Sequence, residues 1–231
     1  MGESITLAVS TVIFALRPHP ESQHPVLWLP LVRRVRSPHK GLWALPGGPL
    51  GTTEDLAASA RRNLHETTQL TPRYLEQLYA FGRPDRSHDQ TMPDDRTVSI
   101  VYWALVHADV ASAGVESDNV RWFPADDVPD LAFDHNQIIE YALWRLRNKM
   151  EYSRIAAALL GETFTLSELR EVHEVVLERT LDPANFRRQI EATGQVVATD
   201  EFRTGRRHRP ARLYRHNHSI ELADNGPLTG R

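Results

Sequence analysis

Gly48-Pro-Leu-Gly-Thr-Thr-Glu54, followed after seven residues by Arg62-Asn-Leu-His-Glu-Thr67, is the stretch on which the reading of this chain turns. A glycine-bounded turn runs into a helix expected from about Thr53 to Thr68. On such a helix positions 63, 66 and 67 share one face, because residues three and four apart are neighbours. That face holds Asn63, Glu66 and Thr67, a single carboxylate. A hard cation such as Mg²⁺ prefers several carboxylate oxygens, so no metal site and no catalytic residue is expected here.

Working outward, Ile5–Leu16 and Val26–Val35 are β-rich apolar runs split by the turn-forming Pro18-His-Pro-Glu-Ser22. Trp43-Ala-Leu-Pro-Gly-Gly48 leads into the helix. Gln77–Phe81, Thr97–Val106 and Val120–Phe123 read as further strands, and Arg83–Asp95, rich in Pro and Asp, as a loop. Strands around one helix in this order predict a mixed α/β domain over residues 1–133. A helical linker, 134–152, follows: Asp134 and Gln137 have capping-box spacing, and Ile138, Ile139, Ala142, Leu143 and Leu146 form one apolar stripe. More helix is expected over Tyr152–Leu160, stopped near Gly161.

Residues 153–231 follow a different pattern. Thr165 and Glu168 have capping-box spacing ahead of a buried stripe of Leu166, Leu169, Val172, Val176 and Leu177. Asp182-Pro183 is an N-cap with proline at the first helical position, opening a short helix, Ala184–Ala192, that Gly194 closes. Gln195–Thr199 and Ala211–Arg215 read as two strands joined by a basic loop. Helix, turn, helix and β-hairpin make a winged helix-turn-helix.

The composition is that of an ordinary soluble chain, with 41% hydrophobic and 25% charged residues. No run approaches the roughly 18 apolar residues of a membrane span, and no signal peptide is apparent at the start. The absence of cysteine excludes disulfides, thiolate metal sites and cysteine nucleophiles, in keeping with a cytoplasmic protein. Residues 151–231 balance 12 Arg against 12 acids, so the net charge of −3 resides in residues 1–150. Yet Arg203–Arg215 holds six arginines and no acid, either a phosphate-facing patch or a solvated loop.

On the second short helix, Phe186 and Ile190 should face the core, which leaves Arg187 and Arg188 outward with Asn185 near the N-terminal end. Arginine pairs bidentately with guanine and asparagine with adenine; alternatively, either arginine pairs with the Glu-rich helix 168–178. Arg206, Arg207 and Arg209, with Arg212 and Tyr214, are candidates for phosphate or minor-groove contacts. Thr165 and Ser167 sit where a helix start offers hydroxyls and N–H groups to a phosphate. In the first domain, Gly47 and Gly48 permit close approach of a ligand, or simply make a tight turn. Arg33, Arg34 and Arg96 are ligand candidates, and the first two serve equally as solvated strand-end charges. Arg62 and Glu66 are candidates too, and also an i,i+4 ion pair. Glu54 completes the set, or holds the loop. Trp43 is assigned to the core, and His216 and His218 to no metal site.

With these residues assembled, the chain resembles the Nudix-related transcriptional regulators of NAD metabolism, the NrtR family. The likeness is carried by Gly41-Leu-Trp-Ala-Leu-Pro-Gly-Gly48, the box, Tyr74-Leu-Glu-Gln-Leu-Tyr79, Val98-Ser-Ile-Val-Tyr102 and Leu131-Ala-Phe-Asp-His135. Phe164-Thr-Leu-Ser-Glu-Leu169, Asp182-Pro-Ala-Asn-Phe-Arg-Arg188 and Arg209-Pro-Ala-Arg-Leu-Tyr214 complete it. It implies a Nudix-like sandwich of mixed sheet and helices, a helical linker and a C-terminal winged helix-turn-helix. It implies a homodimeric repressor on palindromic operators of NAD biosynthesis or salvage genes, relieved by ADP-ribose or a related NAD metabolite, with no required cofactor. An intact Nudix box holds Glu, Glu and Gly where this chain has Asn63, Thr67 and Gln69, so the pocket is expected to bind a nucleotide diphosphate and hydrolyse it badly or not at all. The competing readings are a divergent Mg-dependent hydrolase of ADP-ribose or nucleotide sugars, and a regulator outside NAD metabolism.

Overall fold

The apolar run that begins at Ile5 becomes the spine of the first half of the molecule. In a computed structural model that describes residues 4–72, 74–84, 86, 95–107, 111, 117–150, 155–203 and 210–217, Ser4–Pro18 forms strand β1. It pairs in parallel with β6, Asp95–Val106, over the whole register from Ser4↔Asp95 to Ala15↔Val106. Val9 and Thr11–Ala15 are fully buried and Ser10 nearly so. Two-sided burial of this kind belongs to a strand inside a sheet, and it explains why the run is apolar without alternation.

Five strands lie antiparallel around this pair. They are β2 (Pro25–Arg33), β3 (Trp43–Ala44), β4 (Gly47–Pro49), β5 (Tyr74–Phe81) and β7 (Val120–Pro124). The path runs β3-β2-β1-β6-β5, with β4 on β1 and β7 on β2. Strand β2 stops at Arg33, short of the expected Val35, because the chain turns and Arg34 N–H donates to Leu42 O (2.9 Å). Helix α1, Leu56–Thr68, packs its Ala60 and Leu64 into the core. It starts three residues later than expected: Asp55 is its N-cap, accepting from Ala58 N–H at 2.7 Å. Gln69 ends it in the left-handed region, φ 59°, where an intact box would carry glycine.

The chain folds as two compact units, Met1–Arg145 and Leu146–Arg231. The division falls inside helix α2, His135–Met150, which buries Ile138, Ile139, Ala142 and Leu146 as its stripe predicts. Among the described residues no helix is long and apolar enough to cross a membrane.

The second unit contains α3 (Ile155–Ala158), α4 (Leu166–Leu177), α5 (Pro183–Thr193) and a three-stranded sheet ordered β8-β10-β9. The strands are β8 (Thr163–Phe164), β9 (Val196–Arg203) and β10 (Ala211–His216). Thr165 and Glu168 form both halves of the capping box, Asp182 caps α5 through Asn185 N–H, and Gly194 closes it at φ 67°. Phe164, Leu169, Val172, Val176, Phe186 and Ile190 make the core. A register shift between Arg212 and Tyr214 lets two successive residues, Leu213 and Tyr214, both point inward.

Candidate functional site

Residues of the box converge on one arginine. Arg62 grips Glu54 with two parallel bonds, Nη2 to Oε1 at 2.6 Å and Nε to Oε2 at 2.9 Å. Its Nη1 donates to Glu66 Oε2 (3.2 Å) and Asn63 Oδ1 (3.3 Å). Glu54 also accepts from Gly51 N–H at 2.8 Å, so it does hold the loop ahead of α1. The Arg62 bond first, and then the Gly51 bond, bring its carboxyl down to about 2, while Glu54 raises the pKa of Arg62. The Arg62–Glu66 ion pair is present, but as the weaker of Arg62's two acidic partners.

The helix face at 63, 66 and 67 is not uniform. Asn63 is buried, its Nδ2 donating to Ser59 Oγ (3.4 Å), and a Cβ on Gly48 would come within 2.9 Å of its Oδ1. Thr67 turns its hydroxyl back onto its own helix, donating to Asn63 O at 2.6 Å. The Glu66 side chain is 59% exposed. A hard divalent cation would therefore find two carboxylates, Glu54 and Glu66, both already paired with Arg62, and two neutral side chains, Asn63 bonded to the same arginine and Thr67 turned onto its own helix. This donor set does not fit Mg²⁺, and among the described residues no group of three His, Asp or Glu side chains is arranged to hold a metal.

The other candidates of this unit make bonds apart from that cluster. Gly47 has no room for a side chain, since a Cβ there would lie 2.6 Å from Val9 O. Arg33 Nε donates to Gly41 O (3.2 Å). Arg34 Nε donates to Pro38 O (2.8 Å), its guanidinium lies 4.6 Å from the Phe133 ring centre, and burial lowers its pKa. Arg96 Nη2 donates to Gly82 O (3.1 Å). Trp43 meets Phe123 edge-on at 5.2 Å and lies beneath Arg121.

In the second unit, helix α5 keeps Arg187 and Arg188 outside. Arg187 Nε bonds Glu191 (3.0 Å) and Arg188 Nη2 bonds Asn185 Oδ1 (2.8 Å), each within its own helix rather than with α4. A groove of about 510 Å³ lies beside them, lined by Ser167, Arg170, Arg187, Phe202, Pro210 and Arg212 among others. Arg212 Nε is held by Thr199 O (3.0 Å), and Arg203, from the same basic run, is ion-paired with Glu168.

Two further candidates, Thr165 and Tyr214, line the floor of the same groove while their polar groups are bonded internally. The Thr165 hydroxyl and N–H are both engaged with Glu168 in the capping box, and the residue is buried. Tyr214 is buried by the β10 bulge, with its hydroxyl 3.3 Å from Glu191 Oε1. Arg206, Arg207 and Arg209 lie outside the described residues. Sequence reasoning missed Arg170 and the half-exposed Phe202 in the groove; the adjacency of Phe202 to the basic run was the available signal.

Against known proteins, residues 7–142 match the NUDIX domain and residues 156–216 the NrtR DNA-binding winged helix domain. The ADPR responsive transcriptional repressor NtrR of Acinetobacter baylyi is 34% identical over 190 residues, covering 80% of this chain and 74% of its own length. Shewanella oneidensis NrtR complexed with a 27mer DNA superposes with a TM-score of 0.77 at 36% identity, over 91% of this chain and 93% of that one. The NUDIX domain of the same Shewanella protein, complexed with ADP ribose, gives a TM-score of 0.51 at 35% identity over 63% of this chain and 90% of that one.

Proposed function

This chain belongs to the NUDIX family, in the branch that ends in the NrtR DNA-binding winged helix, and from that premise we propose that it is a transcriptional repressor whose hold on DNA answers to ADP-ribose. The observation that carries this reading is the union of the two domains in one chain, with a relative, Shewanella NrtR, whose structures hold DNA in one case and ADP ribose in the other.

The NUDIX unit then acts as a sensor and not as a hydrolase. Its box has traded acidic chelation for an arginine-centred network, and Asn63 and Thr67 supply no carboxylate. A diphosphate is a dianion, and Arg33, Arg34, Arg62 and Arg96, with the backbone at Gly47 and Gly48, are the groups suited to it. Glu54 and Glu66 hold Arg62 in place and offer acceptors for ribose hydroxyls.

In the DNA-binding unit, Arg187, Arg188 and Asn185 are the base readers. Each is held at rest by an exposed intrahelical partner that a guanine or adenine edge displaces. Ser167 and Arg212, together with Arg206, Arg207 and Arg209, meet phosphates or the minor groove. Thr165 and Tyr214 support that face from beneath. A homodimer would set two such helices about 34 Å apart on an imperfect palindrome, in the cytoplasm and upstream of genes for NAD synthesis or salvage.

Fluorescence anisotropy with duplexes from upstream of the host's NAD-synthesis genes, at about 0.15 M salt, tests the reading. Tight, sequence-selective binding that ADP-ribose weakens is expected. Binding no better than to random DNA would overturn it, and steady Mg²⁺-dependent hydrolysis of ADP-ribose abolished by Glu66→Gln would make the chain an enzyme.

A further inference from the structure

Three ties converge on the first turn of helix α2. Nδ1 of the buried His135 accepts from Leu45 N–H at 3.0 Å. Arg86 grips the Asp134 carboxylate twice, at 2.9 and 2.6 Å, and these side chains are only 5% and 12% exposed. Asn136 clasps the preceding turn, accepting from Leu131 N–H and donating to Pro129 O. Burial lowers the His135 pKa to about 3, so the ring is neutral and its Nδ1 remains an acceptor.

Two of these ties lead back to the box from opposite sides. Leu45 is followed by Pro46, whose carbonyl takes the Thr11 N–H at 2.8 Å, and then by Gly47 and Gly48, the turn lying against Asn63. Arg86 follows β5, which pairs Phe81 with Ser99. The Ser99 hydroxyl lies 3.1 Å from that of Ser10, and Ser10 pairs with Gly47. A chain of contacts thus crosses the sheet from Gly47 through Ser10 and Ser99 to Phe81, its middle step a side-chain contact, since Ser10 pairs with Val101 and Ser99 with Ala8 in the strand register, and it runs between the segments that hold two adjacent residues, Asp134 and His135. These two residues begin the helix that carries the chain out of the NUDIX unit.

We propose that Asp134 and His135 form a latch that positions helix α2 according to the state of the nucleotide pocket, with Arg86 and the Leu45 N–H as its two grips. The proposal rests on the reading of the chain as an ADP-ribose-responsive repressor. In this proposal these residues act through helix α2 and not by contact with ligand or DNA, and so are positioning residues. The physical basis is that a buried, bidentate ion pair is stable only at good geometry. A shift of the Gly47–Gly48 turn or of the segment after β5 therefore moves the latch between discrete arrangements instead of stretching it.

The test compares the full-length wild type with Asp134→Asn and with the double variant Arg86→Gln/Asp134→Asn, which leaves no stranded buried charge. Operator affinity, on a duplex selected by the wild type from a random library, is measured with and without saturating ADP-ribose. ADP-ribose affinity is measured by calorimetry. The wild type is expected to lose DNA affinity by roughly 5- to 150-fold on adding ADP-ribose, and both variants by no more than about threefold while each ligand alone binds them normally. Full wild-type coupling in a folded variant overturns the latch. So does loss of ADP-ribose binding itself, which would make the pair part of the pocket. Should Asp134→Asn, which leaves the buried Arg86 charge uncompensated, fail to fold, the double variant decides by the same ratio. A wild type indifferent to ADP-ribose is a separate result: it overturns the effector reading and the latch with it.

Discussion

Helices α1 and α5 both display arginines on an outward face, and they hold them in opposite ways. On α1, Arg62 is tied by a bidentate bond to Glu54, with Glu66 and Asn63 as further partners. On α5, Arg187 and Arg188 each rest on one exposed neighbour within the same helix, and exposed i,i+4 pairs contribute only a few tenths of a kcal/mol. The first arrangement fixes arginine through several partners; the second leaves it on a single exposed one, as the proposed readout of DNA requires. Paired arginines look alike in sequence. The number and geometry of their partners separate architecture from readout.

The sharpest way to break that distinction lies at a deeply enclosed pair, Arg86 and Asp134. Arg86→Gln strands the buried Asp134 carboxylate and is expected to destabilise the NUDIX unit by about 3–5 kcal/mol in denaturant titration. An undiminished midpoint would mean that burial is no guide to which arginines are structural. Arg188→Ala should leave stability unchanged and weaken specific operator binding by about 1–3 kcal/mol. A fall in melting temperature with intact binding would reverse the contrast.

Acid offers a subtler comparison, because among the described residues each unit has a buried histidine that stays neutral. The His135 pKa is lowered to about 3 and that of His173 to about 4, in both cases chiefly by desolvation. Between these values and the ordinary 6.5, the unfolded chain binds a proton that the folded chain does not. Stability therefore falls as pH drops below about 6.5, by up to about 1.4 kcal/mol per pH unit for each histidine, and is flat above it. In His135→Gln the slope should shrink; an unchanged slope would assign it elsewhere. The smallest effect concerns Gln69, in the left-handed cap of α1. Gln69→Gly should raise stability by about 1 kcal/mol, and a loss would show that the Gln69 side chain has a role of its own.

What was legible in the sequence was local. The boxes at Thr165–Glu168 and Asp182–Pro183, the closing Gly194 and the stripe of α2 rest on interactions within four residues, so spacing alone reveals them. Arg86 and Asp134 are 48 residues apart, and nothing in either neighbourhood announces the partner. Asp134 was legible as a cap candidate, whereas both of its oxygens are bonded by Arg86. Strand β8 is two residues long, too short for any period, and exists because β10 pairs with it. Thr165 and Tyr214 look like surface polar residues until a capping box and a bulge turn them inward. In the box the substitutions were plain, but not their consequence: that Arg62 would gather both remaining carboxylates depends on the loop fold at Gly51.

Helix α2 also has a length, and length sets leverage. Its 16 residues, at 1.5 Å each, make a rod of about 24 Å. Pivoted at His135 by roughly 8°, such a rod carries its far end through about 3.4 Å, the rise of one nucleotide step along a DNA strand. In the proposed latch the helix length is thus a lever: the same tilt that moves its first turn by about an ångström moves its last by several.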